Sequence, residues 1–173
     1  MTEIVVIAAV AQNSVIGSSN DIPWRLSEDF KRFKRLTLGH PCLMGEATFR
    51  SLPDSSRPLP GRENIVLSLN PDFIPDGVTL FRDFDASIEY LRNSQVPKAF
   101  VVGGASVYRL AIRIADTLEL TRLHRNYVGE VYFPEYDPSD WQLVSAEDHD
   151  GIDSINHCAV RFTYETYKRL PRD

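Results

Sequence analysis

Hydrophobic residues fall into two patterns along the chain. Continuous apolar runs recur at "IVVIAAV" (4–10), "CLM" (42–44), "NIVLSL" (64–69), "VTLF" (78–81) and "AFVV" (99–102). Runs this short, without polar alternation, predict strands buried on both faces of a parallel sheet. Helical spacing lies between them, at 27–36, about 46–52, "DASIEYLRN" (85–93) and "ASVYRLAIRIA" (105–115). Asp85 and Ser106 suit N-caps or first turns. The tail changes character: "LELTRL" (118–123), "EVYF" (130–133), "WQLVSA" (141–146) and "HCAVRFTYETYKR" (157–169) read as strands. The last alternates, with Val160, Phe162 and Tyr164 on one face and Arg161, Thr163 and Glu165 on the other, as an antiparallel strand with one wetter side does. The architecture predicted is α/β, a mostly parallel sheet with helices on both faces and antiparallel strands at the end.

One helix breaks its own pattern. Leu26, Phe30 and Phe33 form a stripe, and Asp29 lies on it, three residues after Leu26 and four before Phe33. An acidic residue in a first turn is commonly there for the helix dipole. The preceding "IPW" (22–24), however, brings more apolar surface around this carboxylate. Walled by Trp24, Phe30 and Phe33, it needs a hydrogen-bonding partner. A flat heterocycle presenting an amidine-like N–H pair would satisfy both oxygens.

Three further stretches carry chemistry. In "VVGGASVY" (101–108) a strand runs through two glycines into a helix, which lets the backbone approach a ligand and offers free N–H groups to a phosphate. "MGEATF" (44–49) repeats that junction, with Thr48 as a helix cap or a phosphate ligand. "RPLPGREN" (57–64) is a stiff loop bearing Arg57 and Arg62, where an arginine at a cleft edge could fork onto a carboxylate. In an open α/β sheet such segments converge beyond the carboxyl ends of the strands.

Composition narrows the classes. The 173 residues suit one domain spanning 1–173, and 43% hydrophobic residues suffice for a core. Nineteen basic against twenty-four acidic residues give a net charge of −5 with no basic block, which argues against a nucleic-acid partner. The N-terminal "MTEIVVIAAVAQN" reads as a strand rather than a signal peptide, and no apolar stretch has the length of a membrane span. Cys42 and Cys158 suggest neither a disulfide framework nor a metal site, and a cytoplasmic protein is expected.

Taken in order, "IAAVAQNSVIG" (7–17), "IPWRLSEDFKRFK" (22–34), "LMGEATFRSL" (43–52), "RPLPGREN" (57–64), "VVGGASVY" (101–108), "LELT" (118–121) and "YFPEYDPSDWQ" (132–142) resemble dihydrofolate reductases of the short bacterial type, over essentially the whole chain. The resemblance implies an eight-stranded sheet with one antiparallel C-terminal strand and about four flanking helices. It implies NADPH-dependent reduction of 7,8-dihydrofolate to tetrahydrofolate, in support of one-carbon metabolism and thymidylate, purine and amino-acid synthesis. Asp29 would be the acid that holds the pterin and supports protonation at N5, with Trp24 and Thr121 in its hydrogen-bond network. Ile22 would cover the reacting rings. Ile7, Ala8, Phe30, Phe33, Leu52, Leu59 and Val102 would line the folate slot, and Arg62 would pair with the glutamyl α-carboxylate.

For NADPH, the resemblance assigns Ala9, Ile16, Gly17 and Asn20 to the nicotinamide half. Gly45, Glu46, Ala47, Thr48, Leu67, Ser68, Leu69, Arg82, Val102, Gly103, Gly104, Ala105, Ser106 and Val107 would serve the pyrophosphate and adenosine side. Tyr108 would lie near the nicotinamide. Three positions depart from the family: Glu46 and Ala47 stand where basic residues are common, Leu69 follows Ser68 where a polar or basic residue is frequent, and Ala105 replaces a third glycine. A monomer without a metal, inhibited by antifolates such as methotrexate or trimethoprim, is the implied form. Two rivals remain at this point: a reductase of the same fold acting on another pterin-like or pyrimidine substrate, and a non-catalytic binder. The joint presence of Asp29 and Arg62 favours folate.

Overall fold

A computed structural model of the protein describes residues 1–19 and 21–172. In chain order the elements are β1 (Glu3–Val10), β2 (Val15–Gly17), α1 (Ser27–Thr37), β3 (Cys42–Gly45), α2 (Glu46–Ser51), β4 (Asn64–Leu67), β5 (Thr79–Phe81), α3 (Phe84–Arg92), β6 (Lys98–Gly103), α4 (Ala105–Ala111), β7 (Thr117–Leu123), β8 (Val131–Tyr132), β9 (Trp141–Asp153) and β10 (Cys158–Arg169). Eight strands form one sheet in the order β5-β4-β3-β6-β1-β7-β10-β9. β10 is antiparallel to both its neighbours, and the other pairings in this sheet are parallel. The eight-stranded architecture expected from the resemblance is therefore present. β2 and β8 make a separate two-stranded ribbon.

The central strand shows why its sequence does not alternate. Ile4, Val6, Ala8 and Val10 of β1 pack with Leu91 of α3 and Val107 and Ala111 of α4. Val5 and Ile7 point the other way, into a cluster with Phe33 and Leu36 of α1, Phe49 of α2 and Leu59. Both faces are covered, so both residue parities are apolar.

Three boundaries differ from the sequence reading. α4 stops at Ala111 rather than near 115, because the Ala111 carbonyl accepts from both Ile114 and Ala115 in a tight turn. Arg169 of β10 then donates to the carbonyls of Ile112 and Ala115 at 2.6 and 2.7 Å, groups a continued helix would otherwise use. The cap of α3 is Asp83, whose side chain accepts from Ala86 N at 3.0 Å, and Asp85 lies in the first turn. β9 runs on to Asp153, although "EDHDGID" carries turn-forming residues. There it is held by pairing with Cys158–Tyr164 of β10, a tertiary constraint that overrides local preference.

Candidate active site

A cleft of about 1510 Å³ opens across the carboxyl ends of β1, β3, β4, β6 and β7. Every described residue assigned above to substrate, cofactor or catalysis lines it, and Asn20 lies outside the described residues.

α1 sets the floor. Leu26 is buried with Trp24, Tyr127 and Phe162, and Phe33 packs under the sheet. Phe30 leaves the predicted stripe: at 50% exposed, its ring lines the cleft instead of packing on the sheet. Asp29 sits between these groups, partly buried, with Oδ1 accepting from Thr121 Oγ1 at 2.7 Å. Among the described residues no other side chain hydrogen-bonds that carboxylate, so Oδ2 is free for a ligand. Desolvation raises the proton affinity of Asp29, opposed by the Thr121 hydrogen bond and the Arg32 charge. Trp24 is buried against Tyr127, ring centres 4.9 Å apart, and contributes a wall rather than a direct bond to Asp29. Ile22 stands exposed at the mouth.

The loop after α2 is built to present Leu59 and Arg62. Asn64, buried at the start of β4, accepts from Leu59 N at 2.8 Å and donates to the carbonyls of Leu59 and Arg62 at 3.0 and 2.9 Å. Arg62 donates through Nε to Pro60 O at 2.9 Å and through Nη1 to Thr37 Oγ1 at 3.0 Å. Its Nη2 has no partner among the described residues. Arg57 does not reach the cleft: it donates to Asp54 and to the carbonyls of Arg50 and Leu52, closing the end of α2.

On the opposite side, α2 and α4 begin at Gly45 and Gly104 without a side-chain cap, so their first-turn N–H groups face the cleft. Thr48 therefore does not cap its helix, and its hydroxyl lies beside Gly103 and Gly104. Gly103 adopts φ +127°, where a side chain is strained, and a Cβ there would stand 3.4 Å from the Tyr108 hydroxyl. That hydroxyl donates to Ile7 O at 2.7 Å, and burial keeps its proton on well above the usual phenol range. Farther out, Glu46 accepts from Ser68 Oγ and from Arg50 Nε, the latter at 2.8 Å. Arg82 is oriented by the carbonyls of Ser68, Asn70 and Phe73.

The sequence pattern of dihydrofolate reductase matches residues 3–169. The chain belongs to the dihydrofolate reductase family. It is 39% identical over 151 residues to the dihydrofolate reductase type 3 of Salmonella typhimurium, covering 87% of this chain and 90% of that one. It is 43% identical over 150 residues to the dihydrofolate reductase of Mycobacterium leprae, covering 85% and 89%. Among solved structures, the dihydrofolate reductase from Enterococcus faecalis complexed with NADP(H) and RAB-propyl superposes with a TM-score of 0.85 at 31% identity, covering 98% of this chain and 97% of that one.

Within this dihydrofolate reductase fold the sequence reading missed several positions. Arg32, Asn70 and Ile155 also line the cleft. Asp153 at the end of β9 is fully buried and accepts from Arg25 N, Ile155 N, Asn156 and the Tyr127 hydroxyl, tying the β9–β10 turn to the segment that carries Trp24. Nothing in the pattern of "GIDSIN" marks it: Ile155 and Asn156 are local partners, but Arg25 and Tyr127 come from distant parts of the chain. No helix among the described residues is long and apolar enough to cross a membrane.

Proposed function

We propose that this protein reduces 7,8-dihydrofolate to 5,6,7,8-tetrahydrofolate with NADPH. The observation that carries the reading is Asp29: a partly buried carboxylate on the cleft floor, one oxygen held by Thr121 and the other free, in a cleft that a separate arginine, Arg62, also lines. The reaction consumes one dihydrofolate, one NADPH and one proton. When bound, NADPH supplies the hydride that adds to C6 of the pterin.

The chain's own residues do the rest. Asp29 accepts from the pterin 2-amino group and N3, and its charge favours protonation at N5. Thr121 fixes the orientation of the carboxylate. Trp24, Phe33, Leu52 and Leu59 exclude water from the folate slot, Ile7 and Ala8 form its floor, and Ile22 covers the rings. Arg62, pre-oriented by Pro60 and Thr37, directs its free N–H groups to the glutamyl α-carboxylate. Tyr108, held to Ile7 O, places a fixed dipole near the reacting carbon.

The residues present fit a dinucleotide. Gly103 and Gly104 leave bare backbone where a Cβ would fill the space, and the uncapped starts of α2 and α4 offer N–H groups to a pyrophosphate. Ser68, whose hydroxyl donates to Glu46 and whose carbonyl accepts from Arg82, would face the adenosine end together with both. One-carbon metabolism, a cytoplasmic location, a monomeric state and a single domain over residues 1–173 complete the reading. A spectrophotometric assay at about 340 nm with dihydrofolate and NADPH tests it. Turnover that requires both compounds supports the proposal. Tight binding without turnover would make the protein a binder, and turnover only with another pterin or pyrimidine would make it a different reductase of the same fold.

A further inference from the structure

Arg32 follows Asp29 by three residues on α1, a spacing that makes the two side chains neighbours on one helix face, and both line the cleft. The guanidinium is nearly withdrawn from solvent, its side chain 11% exposed. Nη2 donates to Glu119 Oε2 of β7 at 3.1 Å, and the guanidinium carbon lies 4.0 Å from the centre of the Tyr164 ring of β10. Glu119 is fixed in turn by Thr166, whose hydroxyl donates to the same oxygen at 2.8 Å. Arg32 is thus clamped between a helix, an aromatic face and a carboxylate, where a solvated charge would be free to swing away.

Withdrawing an arginine from water to this degree is costly unless it is paired, and an apolar side chain would cover Tyr164 as well. Asp29 accepts from Thr121 of β7 and feels the charge of Arg32 on α1, and the phenols of Tyr108 on α4 and Tyr164 on β10 feel the charge of Asp29; Glu28 and Arg35 of α1 act on Tyr164, and Glu119 of β7 pairs with Arg32. Of the two arginines, Arg32 is the one whose charge bears on the Asp29 carboxylate.

We propose that Arg32 is a positioning residue for Asp29: its clamped charge sets the pH range over which Asp29 changes protonation, and Glu119 tempers that charge. The inference rests on the reading of Asp29 as the acid that holds the pterin. The pair forms a charge lever. Removing the cation makes Asp29 easier to protonate, and removing only its counter-ion makes it harder.

The test is a ¹³C NMR titration of the Asp29 carboxyl carbon in the ligand-free protein, with pH profiles of kcat/KM for dihydrofolate alongside. Arg32→Gln should raise the Asp29 midpoint by roughly one pH unit, the size expected for a charge at neighbouring helix positions in partly screened surroundings. Glu119→Gln should lower it by about half a unit, since the counter-ion is farther away. The double variant should sit between the two single ones, about half a unit above the starting midpoint, and Arg32→Lys should stay near the start. A loosened helix would not produce shifts of opposite sign. A midpoint unmoved by Arg32→Gln, or moved in the same direction by both single variants, overturns the inference. Should Arg32→Gln fail to fold, the downward shift in Glu119→Gln and the small one in Arg32→Lys decide the same question. The reading of Asp29 falls separately, if Asp29→Asn retains turnover at neutral pH while the NMR shifts appear as stated.

Discussion

Replacing Arg62 by leucine isolates one proposed contact, that with the glutamyl tail. The structure sets the size of the effect. The guanidinium is already oriented by Pro60 O at 2.9 Å and Thr37 Oγ1 at 3.0 Å, so a carboxylate that meets its free edge gains a fork with little ordering to offset. Arg62 is half-buried, which leaves the pair partly desolvated. Truncating one side of such a pair costs on the order of 2–4 kcal/mol. At about 1.4 kcal/mol per decade, affinity for dihydrofolate and methotrexate should fall by roughly 30- to 700-fold. Leucine has about the same girth as the arginine stem, so Leu59 and the loop stapled by Asn64 should hold their places. Thr37→Val removes one orienting bond and keeps the charge, and should cost only about 1 kcal/mol. Equilibrium titration by quenching of protein fluorescence, with methotrexate and with a pteridine lacking the glutamyl tail, gives the readout. The tailless ligand should bind both variants nearly as well as the parent. Equal losses for tailed and tailless ligands would refute the reasoning and make Arg62 a brace for the loop.

Three further outcomes are expected. Asp29→Asn should abolish most turnover at pH 7, with partial recovery at low pH where the substrate arrives protonated; it should also raise the melting temperature at neutral pH. The sign follows from burial, which raises the folded-state proton affinity of Asp29, so its charge costs stability above the unfolded carboxylate range and costs nothing well below it. Asp153→Ala should destabilise the fold by about 3–5 kcal/mol, seen as a lower melting temperature, because it orphans the donors of Arg25, Tyr127 and Asn156. Burial pushes Asp153 up, but the hydrogen bonds from Asn156, Arg25 N and Tyr127 hold it below the usual carboxylate range. Its contribution is therefore present above the unfolded aspartate range and is lost as pH falls below it, which acid titrations of stability in parent and variant would reveal. Glu46→Gln should tighten NADP⁺ binding by several-fold with little effect on NAD⁺, since it removes a carboxylate competing for Ser68 and the nearby arginines. Calorimetry with both dinucleotides checks it, and an unchanged ratio would place Glu46 away from the 2′-phosphate.

The periodicity of the apolar runs determined a good deal. β1, β3, β4 and β6 lie where continuous hydrophobic stretches predicted them, because a strand covered on both faces has no polar parity to reveal. Asp29 was legible because a carboxylate on an apolar stripe violates the pattern that folding alone would favour, and the two strand-glycine-helix junctions marked the other wall. What stayed hidden depends on residues that meet only after the sheet forms. The end of α4 is decided by Arg169, 58 positions after Ala111 in the chain, and the length of β9 by its pairing with β10. Phe30 and Phe33 read alike in sequence and both line the cleft, yet Phe30 stands half exposed there while Phe33 also packs against the sheet, because the helix faces two different surfaces. Arg32 and Glu119 look like ordinary charges in their own segments. Their partnership exists because the register that lays β7 beside β10 also brings Tyr164 and Thr166 under α1, and local sequence cannot encode the direction of a charge whose partner is 87 residues away.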